Sequence, residues 1–155
     1  MDRMTDARLQ HCLTPGLSIL VGTVDAQGTP ACCRGIAVAS DDNLQTLTVY
    51  VPVATSHETI RNVALTRRIA VAASNPADNC STQLKGTTTD ARLAREDEAA
   101  RVRRALDAFA DVLDRVGVAR RLTRSVSHWP AFAITMRVEE VFEQTPGPQA
   151  GCRLR

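Results

Sequence analysis

Residues 17–51 read LSILVGTVDAQGTPACCRGIAVASDDNLQTLTVYV, and this stretch decides the fold. Leu17 to Val24 is apolar on nearly both faces and reads as a strand. Asp25-Ala26-Gln27-Gly28 follows as a hairpin loop, with glycine where a positive φ is needed. A second strand is expected from Ala31 to Ala39, and Asp41-Asp42-Asn43 makes the next turn. Thr46-Leu47-Thr48-Val49-Tyr50-Val51 alternates, which sets Leu47, Val49 and Val51 on one face. Three strands joined by short turns read as an antiparallel meander.

The rest of the chain extends this pattern. Thr55-Ser56-His57-Glu58 has the form of a capping box, so a helix is expected with Thr55 as its N-cap and Ile60, Val63 and Ala64 on one face. Further strands are expected at Ile69 to Ala73, ended by Asn75-Pro76, and at Ser81 to Thr89. The clearest helix runs from Ala94 to Val116, where Val102, Leu106, Phe109, Leu113 and Val116 form an apolar stripe, and Gly117 stops it. A last strand, Ala131 to Val138, points Phe132, Ile134, Met136 and Val138 inward. Residues 5 to 13 predict a short helix ended by Pro15-Gly16, and Thr145 to Gly151 is too rich in proline and glycine for a helix or central strand. Six strands that do not alternate with helices predict a mainly β protein, an antiparallel barrel with attached helices. The expected organisation is one domain over 1–155, with an N-terminal helical segment at 1–16, a helical insertion at 94–124 and a C-terminal tail at 143–155.

Composition narrows the function classes. The chain of 155 residues is 44% hydrophobic and 23% charged, a globular balance. A net charge of +2 makes no electrostatic case for nucleic acid or an anionic membrane. No apolar run is long enough to span a bilayer, and the polar start lacks a secretory stretch, so the expected compartment is the cytoplasm. Cys12, Cys32, Cys33, Cys80 and Cys152 form no C-x-x-C pair and are expected to be reduced, mostly buried small apolar residues. His11, His57 and His128 lack metal-ligand spacing, so no metal is expected. Ser125 and His128 with Asp111 or Asp114 suggest a hydrolase triad on paper, but no G-x-S-x-G elbow supports one. Phosphate loops of the Walker or dinucleotide type are absent. Arg103-Arg104 and Arg120-Arg121, with Arg115 and Arg124, read as a solvated basic face, and Trp129 before Pro130 as a packing or interface residue.

Three stretches carry a resemblance. SILVGTVDAQGTPACCRGIAV is similar to the opening hairpin of the flavin-binding split-barrel family around pyridoxamine 5′-phosphate oxidase. LTVYVPVATSHETIRNVALTRRIAVAASNP resembles that family's third strand, phosphate-side helix and fourth strand, and STQLKGTTTDA resembles its strand ending in a Lys/Glu-Gly step. The ending VEEVFEQTPGPQAGCRL looks like that of a poorly characterised branch. The resemblance implies a six-stranded antiparallel split barrel, a homodimer with FMN at the subunit interface, and an FMN-dependent oxidoreductase of unknown substrate with no catalytic side chain named. The alternatives are a non-catalytic module carrying FMN or haem, with His57 the haem ligand to test, or a cofactor-free dimer.

By the same resemblance Arg34 begins the flavin-lining strand, with Gly35, Ile36 and Ala37 following; the plainer reading of Arg34 is a strand-end surface residue. Pro52 and Val53 would meet the isoalloxazine edge, and Thr55, Ser56 and Thr59 the phosphate at a helix N-terminus, where simple capping is the other reading. Lys85 would be a polar contact near the ring or, more plainly, a solvent-facing strand lysine. His57-Glu58-Thr59 stands where the family has a basic Ser-Arg-Lys-like triplet, so positive charge has to come from Arg61, Arg67, Arg68 or charged His57. The tail would either fold over the partner's flavin through Thr145, Gln149 and Arg153 or remain a loose end.

Overall fold

A computed structural model describes residues 13–155. The helix expected over residues 5 to 13, and with it most of the 1–16 segment, lies outside the described residues. β1 (Ser18–Val24) and β2 (Pro30–Gly35) form the first hairpin, with the Asp25 carboxylate accepting from the Gln27 and Thr29 amides at 2.9 and 2.8 Å and Gly28 at φ 89°. β3 (Ala37–Ser40), β4 (Thr46–Pro52), α1 (His57–Thr66), β5 (Arg68–Ser74) and β6 (Ser81–Leu93) follow. Then come α2 (Ala99–Arg115), the short α3 (Arg120–Arg124) and β7 (Ala131–Glu143).

The strands form one antiparallel sheet in the order β2-β1-β5-β6-β7-β4-β3. It has seven strands rather than the expected six, because the strand expected over Ala31 to Ala39 breaks at Ile36. The residues flanking the break belong to opposite edges of the sheet. β2 pairs with β1, β3 pairs with β4, and the Ile36 amide donates to the Tyr50 carbonyl at 2.8 Å. The sheet therefore curls until its two edges are halves of one bent strand, which is the split-barrel fold. Gly35 is required at the corner, since a Cβ there would lie 2.5 Å from Ile19 Cγ2 and 3.1 Å from Val49 Cγ2.

Ile19, Val21, Leu47, Val49, Val51, Val71, Leu84, Ile134 and Met136 fill the barrel, each at most 2% exposed. α1 adds Val63 to this core. Its polar buried face is satisfied by short contacts: Asn62 donates to Thr23 Oγ1 at 3.2 Å and Thr66 to the Val24 carbonyl at 2.9 Å. A second cluster lies outside the barrel, where Val102 and Leu106 of α2 cover Ile36, Ala37, Tyr50 and Ala133. The expected stripe thus packs through Val102 and Leu106, while Val116 at its end is 50% exposed. α2 starts at Ala99 rather than Ala94 because a 3-10 turn, Glu96–Glu98, precedes it. Gly117 ends it at φ 95°.

Past Glu143 the tail doubles back on its own sheet. The Leu154 amide reaches the Val141 carbonyl at 2.7 Å, Phe142 bridges to Arg153, and the Arg155 guanidinium caps the Leu44 carbonyl at 2.6 Å. Among the cysteines, Cys33 is a buried free thiol, Cys32 and Cys152 are exposed free thiols, and Cys80 is disulfide-bonded. The expectation of reduced thiols holds for Cys32, Cys33 and Cys152 and is corrected for Cys80, and the expected burial is corrected for Cys32 and Cys152, because spacing along a chain does not show which side chains meet across it.

Two glycines in neighbouring strands separate conformational need from mere occupancy. At Gly86, where the β6–β7 register shifts, a Cβ would run into the Arg137 carbonyl oxygen, whereas a Cβ on Gly22 meets nothing within 4 Å. Gly86→Ala is expected to cost about 2 kcal/mol or more and Gly22→Ala less than about 0.5 kcal/mol, read from urea denaturation midpoints.

Candidate functional site

The expected cofactor residues fall into three groups. Pro52, Val53 and Ser56 form one tight turn between β4 and α1. The buried Ser56 hydroxyl donates to the Pro52 carbonyl at 2.7 Å, and the Val53 amide donates to the Pro130 carbonyl at 2.9 Å. This turn corrects the expected cap: Ser56, not Thr55, is the N-cap of α1, and its hydroxyl points back along the chain. The first-turn amides consequently have no side-chain cap. Thr55 is exposed beside them, and Thr59 is 1% exposed against the Cys33 thiol, which burial pushes above its ordinary pKa. Glu58 holds His57 at 3.3 Å and Arg61 at 3.4 Å, so its carboxylate is turned to an imidazole and a guanidinium at the surface. His57 is 88% exposed, and its Nδ1 faces the Glu58 carboxylate.

The second group follows the bent strand. Gly35 is buried at the corner, and Ile36 and Ala37 are 6% and 2% exposed beneath α2. Arg34 is exposed at the edge of this cover, its guanidinium 5.6 Å from the ring centroid of Phe109 on α2.

Lys85 stands apart. It lines an open trough of about 780 Å³ across the outer face of the sheet, where α2 does not reach. The cross-strand row there is Cys32, Gly22, Ala70, Lys85 and Glu140, and the next row, outside the trough, is Arg34, Leu20, Ala72, Gln83 and Phe142. Small residues make the middle of the trough flat, and Lys85 Nζ sits 4.5 Å from the Phe142 ring centroid. Arg34 and Lys85 share this face but lie three strand spacings apart, roughly 14 Å, so one small ionic group does not bridge them.

Sequence reasoning missed a charged cluster that ties α2 to the barrel. The Glu98 carboxylate accepts from Tyr50 Oη at 2.9 Å, from both Arg92 nitrogens at 2.7 and 3.0 Å, and from the Arg95 amide at 2.7 Å. Its side chain is only 11% exposed. The bidentate Arg92 bonds, ahead of the opposing effect of burial, hold its pKa near 2 instead of the ordinary 4.5. The one local signal was an aromatic, Tyr50, at an outward position of an alternating strand.

No family model matches the chain, and no curated protein matches it. Solved structures do. An F420 reductase superposes with a TM-score of 0.55 at 16% identity, over 85% of this chain and 94% of that one. A putative pyridoxamine 5′-phosphate oxidase from Lactobacillus delbrueckii gives 0.50 at 16% identity, over 92% and 93%. An FMN-binding protein from Syntrophomonas wolfei gives 0.51 at 9% identity, over 90% of each. At these identities the likeness establishes the fold, an antiparallel split barrel over nearly the whole chain.

Glu98 makes stability depend on acid. A carboxylate whose folded pKa lies below its unfolded value stabilises fully above pH 4.5 and loses that contribution as pH falls toward 2. Glu98→Gln should lower stability at neutral pH by about 2 kcal/mol, because Arg92 keeps its charge and loses its partner. Melting temperatures measured from pH 7 to pH 2 should converge for the two proteins at the acid end; parallel curves would contradict this account.

Proposed function

We propose that the chain binds a flavin, specifically FMN, as a homodimer and serves as an oxidoreductase toward a small organic substrate. The observation that carries this reading is the uncapped first turn of α1 at the rim of a split barrel. Backbone amides without a side-chain acceptor, at the positive end of a ten-residue helix, suit a phosphate. Thr55 adds a hydroxyl, and the ion pair with Arg61 offsets part of the charge of Glu58. The residues present therefore fit the phosphate end of FMN, with Glu58 as the one opposing charge.

The bare outer sheet suits the rest. Leu20 is 46% exposed among Gly22, Ala70 and Ala72, a flat apolar surface that a second copy would cover. Lys85 would place a positive charge beside a ring held in the trough. Bound FMN supplies the electron-transfer chemistry itself; this chain's residues bind it, exclude water and set the local charge. The homologous-looking Arg34 faces a different groove.

Freshly purified protein should be yellow, or colourless protein should bind added FMN with a saturable change in the flavin spectrum. Glu58→Lys should tighten FMN roughly fivefold, since it converts a repulsive charge at the helix start into an attractive one. Colourless protein that ignores FMN at high micromolar concentration would reject flavin binding. An unchanged affinity in Glu58→Lys would reject the placement of the phosphate.

A further inference from the structure

The helical insertion builds a groove of its own. Between the turn of α2 into α3, the end of β2 and the β5–β6 connection lies a space of about 510 Å³. One wall is apolar, made by Phe109, Leu113, Val118, Leu122 and Val126. The facing wall is polar and neutral, made by Ser18, Ser74, Asn75 and Asn79. A single charged side chain lines the space, Arg34, and it has no acidic partner among the described residues. Its guanidinium rests on the Phe109 ring, which holds the planar fork where the two walls meet. Thr123, 3% exposed, also lines the groove, and its hydroxyl has no hydrogen-bond partner among the described residues.

We propose that this groove binds a small monocarboxylate with an apolar aryl or alkyl body. Charge fixes the head group. One cation in otherwise neutral walls matches a single negative charge, whereas a phosphate dianion would bring a second, uncompensated charge into the site. A guanidinium also matches the two oxygens of a carboxylate in one plane. The apolar wall fixes the body: Leu122 and Val118 are 58% and 37% exposed at the groove, and covering them with hydrocarbon is favourable. The volume lies within the usual range for small-molecule sites, roughly 300–1,000 Å³. None of the lining residues belongs to α1 or to the trough, so this site stands whether or not FMN binds.

The test is a titration of the full chain with 4-phenylbutyrate, its uncharged alcohol 4-phenylbutan-1-ol, and inorganic phosphate, followed by calorimetry and by the fluorescence of Trp129, which packs, as Val126 does, against the cluster under α2. The acid should bind saturably and the alcohol at least about tenfold more weakly, the loss expected for a charge-assisted hydrogen-bonded pair. Arg34→Gln should remove the preference for the acid, and Arg34→Lys should restore part of it. Leu122→Glu, at an exposed position, should weaken the acid by a similar factor without moving the melting temperature. Equal affinity for acid and alcohol, tighter binding of phosphate, no saturation at millimolar acid, or an Arg34→Gln protein that keeps its preference would each overturn the proposal. FMN affinity of Arg34→Gln, read separately from the flavin absorbance, should equal that of the wild type; loss of FMN along with the acid would assign Arg34 to the flavin and overturn it too.

Discussion

The barrel depends on a single change of direction. Because β2 and β3 are consecutive in the chain yet lie at opposite edges of the sheet, the bend at Ile36 leaves closure as the arrangement that pairs both. The Ile36 amide, held by the Tyr50 carbonyl, locks that bend, and the missing side chain at Gly35 lets β1 and β4 approach it. Once the edges are joined, register is fixed all the way round, since a one-residue slip anywhere would turn Val21, Val49 or Val71 out of the core. Closure also leaves few unpaired strand edges to recruit another chain.

Closure then divides the outside of the sheet into two territories. Over β3, β4 and the start of β7, α2 lies on an apolar patch and is pinned by Glu98 through Tyr50 and Arg92. Over β2, β1, β5 and β6 the sheet is open, and Gly22, Ala70 and Ala72 flatten its middle. The contrast explains why β4 is buried on both faces while β1 alternates between the core and exposed or half-exposed positions. It also separates the two cations that resemblance had grouped. Arg34 turns toward the insertion and Lys85 toward the open trough, so each has its own chemistry available.

Much of this architecture was legible in the sequence. The alternation of Thr46 to Val51, the Asp25–Gly28 loop, the first half of the stripe on α2 (Val102 and Leu106) and the strand from Ala131 all stand where periodicity put them. The break at Ile36 was not legible, because Arg34, Gly35, Ile36 and Ala37 all suit an extended chain and only the ring closure bends them. The cap of α1 shifted from Thr55 to Ser56 because a 3-10 turn intervenes, and such a turn has no pattern of its own in Val53-Ala54-Thr55. The site was the least legible part. Tyr50 and Arg92 come together across the sheet, Glu98 joins them from the turn before α2, and Phe109 of α2 reaches Arg34; no spacing along the chain encodes those meetings.

The stretch carrying α2 and α3 leaves and rejoins the barrel at one point, where the Ala94 amide meets the Ala131 carbonyl at 2.9 Å. Whatever lies between those two residues is bounded by a hairpin that is already closed, so its length is free of the strand register. Such a junction is a natural seam for evolutionary exchange: related barrels can swap, shorten or elaborate this excursion as a cassette, provided that something still shields Ile36, Ala37 and Tyr50 from water. The specificity of the groove beside Phe109 can then diverge while the barrel that carries it stays the same.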